Sequence, residues 1–389
     1  MERMKLHSNL LNGIVEILEI SFSGNLYADK VIEKALRSNK KWGSRDRSFV
    51  AQHTYEIIRW WRLLWFLKGE APSLKKNKLF ELFEVYWKWA IEKTIPTPND
   101  LPIDVIESYP IWLDKKAAME LGENWPILAR ALNIQANVVL RTNTLKISRE
   151  QLLLRLAQED IEAKSSKITS EAITLINRRK LKDLQSFKLG LFEIQDGGSQ
   201  LISNFLAPMP GDKIMDCCSG SGGKALSLAS KMNNIGDILC IDIELSKIKE
   251  LEIRAERAGA TCIRTHLLLE AEELKEYSGW ADKMLLDVPC SGTGVIRRDV
   301  DIKWKLKPEY LERTLELQQE ILNNYSKLLK VGGLLVYATC SILESENEMQ
   351  IIKFLESNIE SFELKHQERL SPLNSDSDGY YVAVLRKKL

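Results

Sequence analysis

The sequence predicts an α/β protein, in which a doubly wound, Rossmann-like sheet follows an all-α domain and a small α+β segment. Two patterns carry this prediction. Up to about residue 120, apolar residues recur at three- and four-residue spacing, which indicates amphipathic helices. From about residue 199 to the end, short apolar runs typical of buried strands alternate with helical segments, as they do when helices cover both faces of a parallel sheet.

The first pattern predicts helices at residues 10–20, 28–36 and 49–67. The third of these has an apolar face that we expect to be core, made of Phe49, Tyr55, Ile58, Trp61 and Leu64. From Val138 the spacing changes to the alternation of a strand, and a small α+β segment follows, with a helix at 149–158.

The second pattern predicts the strands and helices of the large sheet. The strands are expected at residues 213–218, 237–243, 283–288, 332–339 and 378–388, and the helices at 225–231, 245–258, 311–329 and 345–358. We therefore predict three domains, at residues 1–135, 136–198 and 199–389.

Composition narrows the class of protein. No apolar run approaches the ~20 residues of a membrane span, and the N-terminus lacks the cleavage site of a signal peptide, so no membrane association is expected. All six cysteines fall between residues 217 and 340, a poor arrangement for a disulfide framework, which predicts a cytoplasmic protein. No cysteine pair has CxxC spacing and there are only four histidines, so no metal site is expected.

Charge is distributed unevenly along the chain. The net charge is +1, but residues 1–90 contain 16 Lys and Arg against 10 Asp and Glu. A basic N-terminal part suggests an anionic partner, most commonly nucleic acid, although a solvated helical surface explains it equally well. Arg45 and Arg47 precede the third helix, where they can reach phosphates.

Two cysteines follow two predicted strands. Cys290 lies in DVPCSGTG at 287–294, and Cys340 lies in YATCS at 337–341. Because ligands of an open α/β sheet bind outside the carboxyl ends of its strands, both thiols should face one crevice. A thiol pair there suggests nucleophilic chemistry, a metal or a redox switch.

A glycine-rich turn after the first strand predicts a cofactor site. Residues 216–224 place this turn between a strand and a helix start, where backbone amides and a helix N-terminus meet a ligand. The turn has neither the GxGxxG spacing of dinucleotide folds nor the P-loop pattern. The second strand ends with Asp242, a residue suited to ribose hydroxyls. A nucleoside cofactor without pyrophosphate, S-adenosylmethionine, fits best; a turn that only packs is the alternative.

Together these motifs resemble the Sun/Fmu (RsmB-like) group of S-adenosylmethionine-dependent RNA cytosine-C5 methyltransferases. The similar segments are the turn at 216–224, the two cysteine motifs (287–304 and 337–348), FEIQDGGSQLIS (192–203) and GSRDRSFVAQHTYEIIR (43–59). The resemblance covers nearly the whole chain. It implies a NusB-like RNA-binding domain, an RRM-like segment and a C-terminal methyltransferase domain.

The resemblance also implies roles for residues. Cys340 is the expected nucleophile, Cys290 assists breakdown of the covalent adduct, and Asp287 holds the cytosine N3/N4 edge. The expected cofactor-binding residues are Cys218, Ser219, Gly220, Ser221, Gly222, Gly223, Lys224, Asp242 and Asp287. Arg297, Arg298 and Lys303 are candidate RNA contacts, and their alternative is salt bridges to Asp299, Asp301 and Glu346.

Three departures from the family pattern stand out. The turn usually reads CAAPGGK, but here it is CSGSGGK, with Ser221 at the proline position. The family usually has an aspartate after its third strand, near the adenine; the window 265–268 contains none, and His266 is a weak substitute. Val300 replaces the proline of PDIKW.

The expected partner is RNA, by resemblance small-subunit ribosomal RNA, and the expected state is a monomer. Two alternatives remain at this stage. The same machinery can act on tRNA or DNA, or the chain can be a NusB-like RNA-binding assembly factor with vestigial activity. The intact cysteine pair favours the enzyme.

Overall fold

The computed structural model of the chain describes residues 8–24, 26–98, 100–373 and 377–388. The chain divides into two compact units, one formed by residues 1–135 and 295–308 and the other by 136–294 and 309–389. The small α+β segment, predicted as a domain of its own at 136–198, thus groups with most of the third predicted domain. Residues 1–7, part of the N-terminus for which no signal peptide was predicted, lie outside the described residues.

The secondary-structure elements that the structure describes in the first unit are helices and helical turns. Its helices before residue 136 are α1 (Ser8–Ser23), α2 (Ala28–Ser38), α3 (Ser44–Arg59), α4 (Trp61–Lys68), α5 (Lys76–Tyr86), α6 (Ile103–Ile106), α7 (Ile111–Leu121) and α8 (Trp125–Ala131), with a π-helical turn at Trp87–Ile91 and a 3₁₀ turn at Gly122–Asn124. The single helix predicted at 49–67 is two helices, because Trp60 leaves helical geometry between α3 and α4. Of the expected core face, Ile58, Trp61 and Leu64 are buried, and Phe49 and Tyr55 are partly buried.

The second unit begins with a small antiparallel sheet in the order β2-β3-β1-β4. Its elements are β1 (Val139–Thr142), α9 (Arg149–Gln158), β2 (Ala163–Ser165), β3 (Ala172–Leu175), α10 (Gln185–Lys188) and β4 (Phe192–Ile194). α9 begins with a capping box, in which Ser148 Oγ accepts from the Gln151 amide and the Gln151 side chain accepts from the Ser148 amide. The βαββαβ order is that of a ferredoxin-like fold.

The large sheet has seven strands in the order β10-β11-β9-β8-β5-β6-β7. The strands are β5 (Lys213–Asp216), β6 (Asp237–Asp242), β7 (Ile263–Leu267), β8 (Ala281–Asp287), β9 (Leu329–Thr339), β10 (Phe362–Leu370) and β11 (Tyr380–Lys387). The five strands from β9 to β7 are parallel, and β11 runs antiparallel to both of its neighbours. This mixed sheet confirms the predicted α/β class.

Helices precede, connect and follow the parallel strands. They are α11 (Gly197–Phe205), α12 (Gly223–Lys231) and α13 (Leu245–Ala258), then α14 (Ile302–Lys305), α15 (Pro308–Tyr325) and α16 (Glu348–Asn358). Shorter 3₁₀ turns lie at Ala271–Tyr277, Thr293–Val295, Ser326–Leu328 and Glu344–Glu346. Among the described helices, none is both long and apolar enough to cross a membrane.

Residues 295–308, which include α14, belong to the helical unit although they separate β8 from α15. Val300 is fully buried in the helical core, and Trp304 packs against it. The Trp304 Nε1 donates to the Ile58 carbonyl at 2.7 Å, and the Asp301 carboxylate accepts from the Ala28 amide at 2.6 Å. The core of the first unit is therefore completed by residues 295–308, a segment that lies 160 residues beyond residue 135.

Candidate active site

The two thiols of the cysteine motifs lie side by side. β8 and β9 are parallel neighbours with Asp287 opposite Ala338, so the chain leaves both strands at the same edge of the sheet. Cys290 and Cys340 follow those strand ends, and their Sγ atoms are 3.2 Å apart. The Cys340 amide also donates to Cys290 Sγ at 3.3 Å. Both side chains are half-buried, so a ligand can reach them.

A buried carboxylate joins the two cysteine loops. Glu346 is fully buried. It accepts from the Ser291 amide at 2.7 Å and the Ser291 hydroxyl at 2.5 Å, next to Cys290, and from the Ser341 hydroxyl, next to Cys340. Burial raises the pKa of Glu346. The sequence suggested Glu346 only as a partner for the basic residues at 297–303, so this positioning role is new.

Gly294 brings the backbone of the first cysteine loop against the second. Its amide donates to the Cys340 carbonyl at 2.8 Å, and its carbonyl accepts from the Gly379 amide at 2.9 Å. A Cβ at this position would lie 2.0 Å from the Gly379 carbonyl oxygen. Only glycine permits this approach, which holds the two loops together through main-chain atoms.

An ion pair lies beside the thiols. The Lys224 ammonium donates to the Asp287 carboxylate, and both belong to predicted site motifs. Burial alone would lower the pKa of Lys224, but the attraction and hydrogen bond of Asp287 outweigh it, and the Asp216 carboxylate and Cys340 add to the increase. Lys224 therefore stays protonated within electrostatic reach of Cys340.

A cavity of about 410 Å³ opens beyond the ends of β5, β6 and β8. Of the predicted cofactor residues, Cys218, Gly220, Asp242 and Asp287 line it. Ser219, Ser221, Gly222, Gly223 and Lys224 are not among the lining residues. The lining also includes a face of α15 and a part of the chain after β7 that the sequence did not indicate: Leu268, Ala271, Leu274, Leu317, Glu320, Ile321, Asn324 and Tyr325.

Hydrogen bonds fix the glycine-rich turn. The Gly220 amide donates to Asp242 Oδ2 at 2.8 Å, and the Ser219 amide donates to the Ile241 carbonyl at 3.1 Å. Gly222 adopts a left-handed conformation with φ of 81°, and a Cβ there would lie 2.5 Å from the Leu251 side chain. Asp242 thus both lines the cavity and holds the turn that borders it.

Asp216, at the end of β5, is a site residue that sequence reasoning missed. It is 1% exposed, and neither carboxylate oxygen makes a hydrogen bond of normal geometry to another described residue. Burial, reinforced by the neighbouring carboxylates Asp287 and Asp242 and opposed by Lys224, raises the pKa of Asp216 to about 7. Its position, the last residue of a buried strand before the turn, was the available signal.

We expect Asp216 to make the ligand-free protein less stable as the pH rises. The carboxyl has a pKa of about 7 in the folded protein against an ordinary 3.8, so the folded state binds more protons between these values. Stability should therefore fall from about pH 4 to pH 7, by up to about 4 kcal/mol from this group. Melting temperatures of wild type and Asp216→Asn should converge at acid pH and separate in favour of the variant above pH 7. If the melting temperatures of the two proteins changed with pH in parallel, the raised pKa of Asp216 would be contradicted.

His266 is not among the cavity-lining residues. Its Nε2 lies 2.8 Å from Glu273 Oε2, so it faces an acidic partner of its own. The family usually has an aspartate after the third strand. In this chain the residues that line the cavity after that strand are Leu268, Ala271 and Leu274. The suggested substitution by His266 is therefore not supported by the geometry.

The predicted RNA contacts divide into exposed and buried residues. Arg45 is exposed. Arg47 caps the preceding helix: its guanidinium donates to the carbonyls of Leu36, Asn39 and Trp42. Arg297 is buried, and Arg298 is half-buried with partners of its own.

The structure does not support the prediction that Lys303 contacts RNA. It is 0% exposed, its Nζ donates to Asn133 Oδ1 at 3.1 Å, and it lies 4.4 Å from the Tyr109 ring centroid. Burial lowers the pKa of Lys303 well below its ordinary value. The side chain is part of the helical core, so it offers no phosphate contact in this structure, and none of these partners is a carboxylate suggested as the alternative.

Comparison with known proteins shows the family of the chain. A sequence model of the family described as 16S rRNA methyltransferase RsmB/F matches residues 203–386, and that of the RsmF/B-like ferredoxin-like domain matches residues 109–182. The probable ribosomal RNA small subunit methyltransferase B of Bacillus subtilis (strain 168) is 32% identical over 300 residues, which cover 72% of this chain and 67% of that protein. The chain belongs to the RsmB/F family of 16S rRNA methyltransferases.

A second relative of this family is similar to the same extent. Ribosomal RNA small subunit methyltransferase B of Yersinia enterocolitica is 32% identical over 292 residues, 72% of this chain and 66% of that protein. The chain thus spans about two thirds of the length of these curated relatives. The predicted Sun/Fmu resemblance is confirmed.

Solved structures share the fold. The crystal structure of PH0851 has a TM-score of 0.82 at 21% identity and covers 99% of this chain and 100% of that one. A methyltransferase homolog protein from Pyrococcus horikoshii has a TM-score of 0.65 at 26% identity, covering 76% and 100%. NSun6 from the same organism, solved with SFG, has a TM-score of 0.66 at 21% identity, covering 72% and 99%.

S-adenosylmethionine is the cofactor of the RsmB/F family, and the cavity fits it. Four carboxylates line the cavity against one lysine, which suits a cationic sulfonium; they are Asp242, Glu244, Asp287 and Glu320, with Lys247. Leucine and isoleucine side chains supply an apolar wall for an adenine. Within the described residues, no group of three or more His, Cys, Asp or Glu side chains is placed to hold a metal ion.

Proposed function

We propose that this protein transfers a methyl group from S-adenosylmethionine to C5 of a cytosine in small-subunit ribosomal RNA, through a covalent bond between Cys340 and C6 of the base. The observation that carries the proposal is the 3.2 Å separation of the Cys290 and Cys340 sulfurs, at two neighbouring strand ends beside Asp287. The names of the relatives support the class of RNA.

A thiol is needed because C5 of cytosine is too electron-poor to accept a methyl group unaided. The cofactor, when bound, supplies an electrophilic methyl on a sulfonium. Cys340 loses its proton to solvent and its sulfur adds to C6, while N3 of the base takes up a proton, and the resulting enamine-like ring is nucleophilic at C5. Lys224 stays protonated and supplies a positive charge at the site during this step.

Asp287 and Cys290 serve the steps on either side of methyl transfer. The Asp287 carboxylate can accept hydrogen bonds from the N3/N4 edge of the base. The Lys224 ammonium, which donates to this carboxylate, is a protonated group beside that edge. The hydrogen bond with Cys340 and burial raise the pKa of Cys290, so Cys290 keeps its proton. Solvent water then takes the C5 proton, the C5–C6 double bond re-forms as the C6–S bond breaks, and the Cys290 thiol can hydrogen-bond the departing thiolate of Cys340. We therefore assign attack to Cys340 and release to Cys290.

The target base must leave its stack to reach these sulfurs. A cytosine in a loop, or in a region of ribosomal RNA that has not yet folded, loses the least stacking and pairing free energy when it leaves the stack, because fewer neighbouring bases contact it. We propose that exposed cations of the helical unit, Arg45 among them, contribute to affinity for the phosphate backbone.

The salt dependence of RNA binding should separate an exposed cation from a buried one. Arg45→Gln should reduce the slope of log affinity against log salt by about 1, because one phosphate contact is lost. Lys303→Met should leave that slope unchanged, because Lys303 is fully buried. Fluorescence anisotropy with a labelled ribosomal RNA fragment between 50 and 200 mM salt measures both slopes. Equal losses for the two variants would contradict the structural role of Lys303.

Incubation with labelled S-adenosylmethionine tests the proposed function. Small-subunit ribosomal RNA should become labelled, and nuclease digestion followed by mass spectrometry should identify 5-methylcytosine. Total tRNA serves as the comparison substrate, and the Cys340→Ala variant as the control for contaminating activities. Label at an atom other than cytosine C5, or only in tRNA, would overturn the proposal.

A further inference from the structure

Ser221, in the middle of the glycine-rich turn, accepts two hydrogen bonds from an arginine side chain. Arg254 Nη1 donates to the Ser221 carbonyl at 2.7 Å and to the Ser221 hydroxyl at 2.9 Å. Arg254 lies on α13, and its side chain is 17% exposed. The preceding residue, Gly220, is held by Asp242 from the cavity side. The turn is therefore fixed on both sides.

Arg254 is itself held by the small sheet. Its Nη2 pairs with Glu193 Oε2 at 2.9 Å, and the other oxygen of Glu193 pairs with Arg257 Nη2 at 2.5 Å. Glu193 lies on β4, and its side chain is 5% exposed. A buried carboxylate between two guanidinium groups has little freedom, because moving it would leave a charge unpaired. Glu193 thus fixes the direction from which Arg254 reaches the turn.

A second arginine of the small sheet reaches the same turn. Arg141, opposite Glu193 on β1, donates to the Gly223 carbonyl at 2.5 Å and to the Gln195 side chain. It is 3% exposed, and burial lowers the pKa of Arg141 to about 10, still well above neutrality. Two peptide units of the turn, at Ser221 and Gly223, are therefore bonded to arginines that the small sheet positions.

We propose that Arg254, braced by Glu193, is a positioning residue for cofactor binding: the ferredoxin-like sheet sets the conformation of the turn at 219–223 through Arg254 and Arg141. Ser221 stands where the family pattern has a proline, so hydrogen bonds to the arginine would supply the rigidity that a proline ring supplies by covalent geometry. The inference rests on the proposed function in that it takes this turn as the cofactor site.

Titration calorimetry with S-adenosylhomocysteine measures the effect directly. Arg254→Gln should weaken binding about ten- to thirty-fold, the scale of lost hydrogen bonds to a charged donor. Arg264→Gln is the control, because Arg264 also pairs with a carboxylate, that of Asp237 at 2.6 Å, but has no bond to Glu193 or to the turn. It should change the affinity by less than about threefold.

Steady-state kinetics and a rescue variant separate positioning from general damage. In Arg254→Gln the KM for S-adenosylmethionine should rise, while kcat at saturating cofactor and the KM for RNA stay near wild type. Adding Ser221→Pro to Arg254→Gln should recover most of the lost affinity, because the ring restricts the turn without the arginine. Melting temperatures show that each variant is folded, and Arg254→Lys provides a milder change if Arg254→Gln is not.

The outcomes distinguish failure of the positioning role of Arg254 from failure of the proposed function. If wild type binds S-adenosylhomocysteine and Arg254→Gln binds it equally well, or no worse than Arg264→Gln, the positioning role is overturned and the proposed function is untouched. If wild type does not bind S-adenosylhomocysteine, both the proposed function and this inference fail.

Discussion

Replacing Cys340 with alanine should reduce methyl transfer to RNA by at least about 10³-fold, because the variant lacks the sulfur that adds to C6. The half-buried position of Cys340 means that the substitution removes little packing, so the melting temperature and the affinity for S-adenosylhomocysteine should remain close to wild type. Incorporation of label from S-adenosylmethionine into small-subunit ribosomal RNA, followed over time, measures the loss.

A second cysteine gives the matched control for Cys340→Ala. Cys262 is a free thiol that is almost completely buried, and it is not among the residues that line the cavity. Cys262→Ala should retain activity while undergoing the same chemical change. If Cys340→Ala kept more than about a tenth of wild-type turnover, the covalent step would have to be assigned elsewhere, first to Cys290.

Replacing Cys290 with alanine should stop the reaction at a different point. The sulfur of Cys340 can still attack, but release of the adduct loses its assisting group, so turnover should fall by about 10²- to 10⁴-fold, the range of general acid–base contributions. A protein–RNA complex that survives denaturing electrophoresis should accumulate, and labelled RNA makes it visible.

The double variant Cys290→Ala/Cys340→Ala controls for nonspecific crosslinking and should give no such complex. The opposite pattern is informative as well. A stable complex in Cys340→Ala that is missing in Cys290→Ala would exchange the two roles, which the 3.2 Å separation of the sulfurs permits on geometry alone.

The sequence predicted the parts of the site that depend on strand ends. Apolar runs located β5, β6, β8 and β9, and parallel strands bring their carboxyl ends to one edge, so the proximity of Cys290 and Cys340 followed from pattern alone. The glycine-rich turn was recognisable because its backbone conformation demands glycine, as Gly222 shows.

Features that depend on three-dimensional burial escaped prediction. β10 was missed because its sequence, FELKHQERL, is charged, and most of its side chains are exposed at the edge of the sheet. Lys303 was taken for a surface cation because the sequence does not show that Tyr109 and Asn133, far away in the chain, enclose it. Asp216 and Glu346 were overlooked for the same reason, since burial changes the behaviour of an acidic residue without a local signal.

The long-range position of residues 295–308 has a consequence for biosynthesis. Helices α1 to α5 leave the ribosome well before Val300 and Trp304 are synthesised, and the side chains of these two residues pack into the core that those helices form. Until then the nascent helical bundle carries an unfilled apolar space that neighbouring chains or chaperones can occupy. Co-translational folding of the N-terminal helices should therefore stay incomplete until residues 295–308 have been synthesised, and residues 1–135 expressed alone should form a bundle that lacks the side chains of Val300 and Trp304 in its core.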